Sequence, residues 1–207
     1  MTLFKNKYRI ESMRLKGWDY AATGWYFVTL CTRGRECFFG DVVDGEMHLS
    51  AVGDIAAEEW QKTAIIRPNV ELDQWVVMPN HIHGIIVIKR AAVETFRGNV
   101  SVEGNVSVAG NASDPTEATP HREETPHRGV STKARLKSGS VGAILGQFKS
   151  VCTKRIWAAG FLAFDWQPRF FDHIIRDESS LKDIRQYIVD NPAKWERDKN
   201  NPANLWM

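Results

Sequence analysis

Residues 76–88 run VVMPNHIHGIIVI. Two apolar, β-branched runs are separated only by Pro79-Asn80, and two histidines open the second run. This predicts a strand over Val70 to Met78, a turn at Pro79-Asn80 and an antiparallel return strand over His81 to Lys89. The return strand is apolar enough to read as buried. A chain committed to such a hairpin must build the rest of its fold around an antiparallel sheet.

The neighbouring segments agree. WYFVTLCT, Trp25 to Thr32, is aromatic and β-branched and reads as a strand. DVVDGEMHLS carries an Asp44-Gly45 turn signal and reads as a short hairpin. Ser50 is placed to cap a helix through about Thr63, with Val52, Ile55, Ala56 and Trp60 on one face. After Ser140, Val141, Ile144, Leu145, Phe148, Val151, Cys152 and Ile156 recur at helical spacing. FDWQPRFFDHII, Phe164 to Ile175, reads as extended, with Pro168 arguing for a break or an edge. Asp177 or Ser179 caps a last helix whose buried stripe is Leu181, Ile184 and Ile188, and Pro192 ends it. The tail beyond is polar with two tryptophans and is expected to pack back loosely. The expected fold class is α+β: an antiparallel β-sheet with helices packed on one face.

One segment departs from this pattern. From about residue 91 to 138 the chain is rich in Gly, Ser, Thr, Pro and charge, with the near-repeats GNVSVEGNVSVAGNAS and TPHREETPHR. Such a composition cannot repay its ordering entropy, so the expectation is one domain over 1–207 carrying a low-complexity, disordered insert at 91–138.

Charge and cysteines narrow the function classes. Lys and Arg total 27 against 25 Asp and Glu, a net charge of +2. A nucleic-acid partner would therefore need a local patch rather than bulk charge. Cys31, Cys37 and Cys152 are too few and too scattered for a disulfide framework or a cysteine zinc site. A reducing cytoplasm fits, and nothing in the chain reads as a signal segment or a membrane span.

Side chains alternate along a strand, so His81 and His83 share a face, and imidazoles so placed can converge on one metal ion. They can equally be edge histidines satisfied by water or backbone. Tyr187 and Asn191, in IRQYIVDNPAKW, lie one helical turn apart on the flank of the last helix's buried stripe. Tyr187 can be an ordinary rim residue, and Asn191 the N-cap of a turn with Pro192 in its first position.

Taken together, VVMPNHIHGIIVI and DHIIRDESSLKDIRQYIVDNPAKW resemble the single-tyrosine HUH transposases. The closer likeness is to the REP-associated tyrosine transposases of the insertion-sequence type. The resemblance covers Trp25 to about Trp195, apart from the insert. It implies an HUH endonuclease fold, a ferredoxin/RRM-like antiparallel sheet with helices. It places the two HUH histidines on His81 and His83, the nucleophile on Tyr187 and the third metal ligand on Asn191. It implies a Mg²⁺ or Mn²⁺ ion and single-stranded DNA with a hairpin as substrate. It also implies a bacterial or archaeal host, with the protein cytoplasmic and nucleoid-associated. The reaction implied is cleavage and rejoining of DNA through a 5′-phosphotyrosine with a free 3′-OH, needing neither ATP nor water. Whether the enzyme works as monomer or homodimer stays open.

Arg169 and Arg176, beside His173, and Lys149, Lys154 and Arg155 on the preceding helix are candidate DNA contacts. A solvated helix face is the better explanation of the last three. The alternative function is a domesticated DNA-hairpin binding module without turnover. The intact set His81, His83, Tyr187 and Asn191 argues against it.

Overall fold

The computed structural model describes residues 17–90 and 136–204 together with Leu15, and the backbone alone of 3–4 and 7–8. The insert expected at 91–138 falls, up to residue 135, outside the described residues. Two-residue strands β1 (Leu3–Phe4) and β2 (Lys7–Tyr8) pair with each other. The body follows as β3 (Gly24–Cys31), β4 (Gly40–Val43), β5 (Glu46–Leu49), α1 (Ala51–Ile65), β6 (Val70–Met78), β7 (His81–Ile88), α2 (Val141–Ala158), β8 (Phe171–Ile175) and α3 (Glu178–Asp190). Short 3-10 turns η1 (Arg33–Arg35), η2 (Pro192–Arg197) and η3 (Pro202–Asn204) complete it. Among the described residues no helix is long and apolar enough to cross a membrane.

The central sheet has four antiparallel strands in the order β6-β7-β3-β8. The β6–β7 hairpin turns at Pro79-Asn80, pairing Met78 with His81 and Val76 with His83. Every residue of β7 is buried, which is why its sequence is apolar at both parities apart from the histidines. The small β4–β5 hairpin turns at Asp44-Gly45, where φ is +51° and +79°. That pair of positive φ values belongs to a type I′ turn, which Asp-Gly favours.

Alternation in the strands builds two cores. Ile82, Ile86 and Ile88 of β7, with Tyr26, Val28 and Leu30 of β3, meet Trp60 and Ala56 of α1 and Ile144, Leu145 and Phe148 of α2. A Cβ on Gly84, on this same face, would run into the Trp60 indole, so only glycine lets that ring pack against the strand. Ser50 caps α1 by accepting from Gly53 N–H at 3.1 Å, and Ser140 caps α2 by accepting from Ala143 N–H at 3.3 Å.

On the opposite face, Phe27, Ile85, Val87 and Ile175 form a smaller core with Leu181 and Ile188 of α3. The fold class is α+β as expected, an antiparallel sheet with helices packed on it. The one-sided helix layer describes α1 and α2, whereas α3 covers the other face. Periodicity marks the buried stripe of a helix but not which side of the sheet receives it. A bidentate pair holds α3 to β6: Arg185 Nε and Nη2 reach the Asp73 carboxylate at 2.8 and 2.7 Å. Asp177 caps α3, accepting from Ser180 N–H at 2.8 Å. The strand expected over 164–175 is shorter: Phe171–Ile175 alone is strand, and Pro168 lies in the irregular approach to it. Trp166 still makes an isolated bridge to Thr32.

Candidate active site

β7 directs His81 and His83 to the α3 face, and both are buried, at 0% and 2% exposure. Their Nε2 atoms are 3.0 Å apart. The Tyr187 hydroxyl, delivered by α3, lies 3.1 Å from His83 Nε2, with its ring edge-on to Phe27. Asn191, the residue after α3, is 2% exposed. Its side chain makes no capping bond to the following turn, and its buried Oδ1 has no hydrogen-bond partner.

The proton positions follow from Asn80. Its Nδ2 donates to Arg35 O at 2.8 Å and Asn200 O at 2.7 Å, which turns its Oδ1 toward His81 Nδ1, 2.8 Å away. An amide oxygen only accepts, so His81 carries its proton on Nδ1 and presents a lone pair at Nε2. His83 Nδ1 faces the Thr29 hydroxyl at 2.9 Å, directly across the β3–β7 ladder. A hydroxyl donates or accepts, so Thr29 supports either tautomer of His83.

Electrostatics keep both rings neutral. Burial is the main cause in each, Arg35 adds to the lowering of His81, His81 adds to that of His83, and the Asn191 amide partly opposes the shift of His81. Together these leave His81 at about 3 and His83 well below its ordinary value. Burial also raises Tyr187, the Asp198 carboxylate adds to it, and Asn191 eases it back. The resting site therefore holds two neutral imidazoles and a protonated phenol.

This donor set fits a divalent cation. Two ring nitrogens 3.0 Å apart match adjacent corners of an ion whose ligands sit at about 2.1 Å. The orphaned Asn191 Oδ1 is a further buried acceptor in want of a positive partner. His81, His83 and Asp198 also offer ligand atoms within 4.8 Å of one another.

A groove of about 480 Å³ opens beside Tyr187 and His83, with Phe171, Arg35, Arg169 and Lys199 among its walls. Arg169 also borders an adjoining, more open groove of about 530 Å³, together with Arg33, Lys149 and Lys154. Lys149 Nζ donates to Gln167 O at 2.7 Å and Arg169 O at 2.9 Å, and burial lowers it to about 8.

Of the residues singled out in the sequence, His81, His83, Tyr187 and Asn191 come together. Arg169 borders both grooves, and Lys149 and Lys154 line the second. Arg155 lies elsewhere, paired with Glu58 and Glu59 between α2 and α1, and Arg176 lies over Trp18. His173 is exposed on β8. Asn80, Thr29, Trp195 and Asp198 were not singled out. Asn80 looks like a mere turn residue, Thr29 is one more β-branched residue of a strand, and Trp195 and Asp198 have no periodic signal.

The tail is not loose. Asn200 holds Asn80 through its carbonyl and accepts from Arg35 through its side chain. Trp195 packs on His81 with ring centres 6.0 Å apart.

No family model matches the chain. An uncharacterized protein of Haemophilus influenzae is 33% identical over 191 residues, covering 91% of each chain. Two solved structures are distant likenesses with TM-scores below 0.5. One is a REP-associated tyrosine transposase bound to a REP hairpin (TM-score 0.48, 21% identity, 90% of this chain and 77% of that one). The other is a putative transposase from Deinococcus radiodurans R1 (TM-score 0.40, 13% identity, 86% and 97%).

Proposed function

The chain belongs to one family with the Haemophilus influenzae protein, and we propose that it is a metal-dependent single-stranded DNA transposase and nuclease of the single-tyrosine HUH type. It cuts and rejoins DNA at hairpin-containing sites through a 5′-phosphotyrosine. One observation carries this reading: the Tyr187 hydroxyl sits 3.1 Å from His83 Nε2, beside the His81–His83 pair and the unpartnered Asn191 Oδ1. A phenol at a divalent-ion site, next to a groove edged with arginine and lysine, suits nucleophilic attack on a phosphodiester.

His81 Nε2, His83 Nε2 and Asn191 Oδ1 would hold Mg²⁺ or Mn²⁺. Asn80 keeps His81 in the tautomer that presents Nε2, and the Thr29 hydroxyl can support the same tautomer of His83. When bound, the ion polarises a scissile phosphate oxygen and offsets charge developing on it. Tyr187 Oη bonds to phosphorus as the bond from phosphorus to O3′ breaks. The phenol proton is lost and O3′ gains one, leaving a 5′-phosphotyrosine and a free 3′-OH. The phosphodiester bond is conserved, so a second 3′-OH attacks the same phosphorus and returns the proton to Tyr187. Arg35, Arg169 and Lys199, which line the groove, would hold strand phosphates. Phe171, 43% exposed, offers a face for an unpaired base.

The test is incubation with a hairpin carrying single-stranded flanks, in Mn²⁺, followed by denaturing electrophoresis and peptide mapping. The expected result is an SDS-stable adduct on Tyr187 with a 5′-phosphate linkage, and none on fully duplex DNA. An adduct on Tyr8, Tyr20 or Tyr26, or binding without any adduct, would overturn the proposal.

A further inference from the structure

We propose that Asp198 supplies a fourth, anionic donor to the ion held by His81, His83 and Asn191. This rests on the metal-site reading above. A carboxylate oxygen of Asp198 and one ring nitrogen from each histidine lie within 4.8 Å of one another, the one group of this kind among the described residues. The buried Asn191 Oδ1 at the same place has no hydrogen-bond partner and is a second, independent acceptor suited to a cation.

The chain holds Asp198 there from both sides. Its own N–H donates to Trp195 O at 3.0 Å, and Trp195 packs on His81. Its carbonyl accepts from Asn201 N–H at 3.0 Å and from Asn204 Nδ2 at 2.9 Å. Its Oδ1 accepts from Asn200 N–H at 2.6 Å. Asn200 in turn bonds to Asn80, the residue that sets the His81 tautomer. The segment after α3 is polar and has no apolar stripe, yet hydrogen bonds fix it against the metal-facing histidines. Its carboxylate is the group with chemistry to offer.

The donor chemistry explains why one is wanted. Two imidazoles and an amide form a neutral set, and imidazole favours zinc, copper and nickel over magnesium and manganese. Mg²⁺ and Mn²⁺ prefer oxygen, with a carboxylate as the usual anchor. Asp198 makes the set two nitrogens and two oxygens with one negative charge. That charge also counters Arg35 and Lys199, whose positive charges bear on His81.

Mn²⁺ binding to the full chain without DNA, read by electron paramagnetic resonance and by calorimetry alongside Zn²⁺, tests this. Asp198→Asn keeps an acceptor for Asn200 N–H, and Asp198→Ala removes it. Both should weaken Mn²⁺ at least about tenfold and Zn²⁺ by less than about threefold, with thermal melting of Asp198→Asn unchanged. Mn²⁺ affinity within twofold of wild type in both variants overturns the inference and leaves the three-ligand site standing. Equal loss of Mn²⁺ and Zn²⁺ also overturns it, since a nearby charge that is not a ligand acts on both ions alike. Normal Mn²⁺ binding with lost nicking in Asp198→Asn overturns it in favour of proton transfer from Tyr187. If wild type binds no Mn²⁺, or the His81→Ala, His83→Ala double variant binds it as well as wild type, the metal site itself falls, and the inference with it.

Discussion

The two faces of the central sheet share the same strands and do opposite work. Toward α1 and α2, β7 turns Ile82, Gly84, Ile86 and Ile88 into a continuous apolar layer. Toward α3 it turns His81, His83, Ile85 and Val87. Only the last two of these join an apolar patch, which seats Leu181 and Ile188. The histidine half of that face is polar, buried and matched one turn along α3 by Tyr187 and Asn191. One face thus concentrates the hydrophobic stabilisation that offsets the cost of desolvating imidazoles and amides on the other. The two-residue period of one strand keeps stability and chemistry on separate sides, so substitutions should separate them too.

The largest effect belongs to the chemical face. Tyr187→Phe deletes one oxygen from a side chain 39% exposed. Nicking and covalent adduct should fall to background, while Mn²⁺ affinity, hairpin binding and melting temperature stay put. Residual cleavage by this variant would place the nucleophile elsewhere and dissolve the contrast.

Next comes a matched pair on β7. Ile86→Ala opens a cavity in the dry face and should cost about 2–5 kcal/mol in urea melts, with nicking per folded molecule unchanged. The double variant His81→Ala, His83→Ala should abolish nicking, weaken Mn²⁺ more than about 100-fold and keep the fold, at a smaller stability cost than Ile86→Ala. A reversed ranking would mean that the histidines are core residues first. Gly84→Ala sharpens the same point at smaller scale. Its methyl collides with the Trp60 ring, and the strain should cost about 1–3 kcal/mol without touching metal binding.

How much of this was legible in the sequence follows the same division. The β6–β7 hairpin, the caps Ser50 and Ser140 and the α1 and α2 stripes are local and periodic, and the structure places them where the pattern does, apart from Val151, which α2 turns to the surface. The pairing of His81 with His83 needs only strand alternation, and that of Tyr187 with Asn191 only a helical turn. What joins the two pairs is the side of the sheet on which α3 lands. Leu181, Ile184 and Ile188 would look the same on either face. The 3-10 segment is harder still. Asp198 and Asn200 arrive through turns with no period, from residues that resemble an ordinary polar tail. Asn80 reads as a turn former, and only the fold shows its amide holding the tail and a histidine together.

The smallest effect tests the tie on the chemical face, the Asp73–Arg185 pair that holds α3 to β6. The Arg185 hydrogen bond is the leading cause holding the Asp73 carboxyl below its ordinary value of 3.8, with burial working against it. An acid held down in the folded state binds fewer protons there than in the unfolded chain. Its stabilisation is therefore fully present above about pH 4 and is lost as pH falls through the lowered folded-state value. Arg185 is 40% exposed, so screening limits the pair to about 1 kcal/mol despite its bidentate geometry. Asp73→Asn should lower stability by about that amount between pH 5 and 7, and the gap from wild type should close toward pH 2. Hydrogen exchange should quicken in α3 while α1 stays protected, because the loss falls on one face alone. A stability gap that persists at pH 2, or equal loosening of α1 and α3, would show that the two faces do not respond separately.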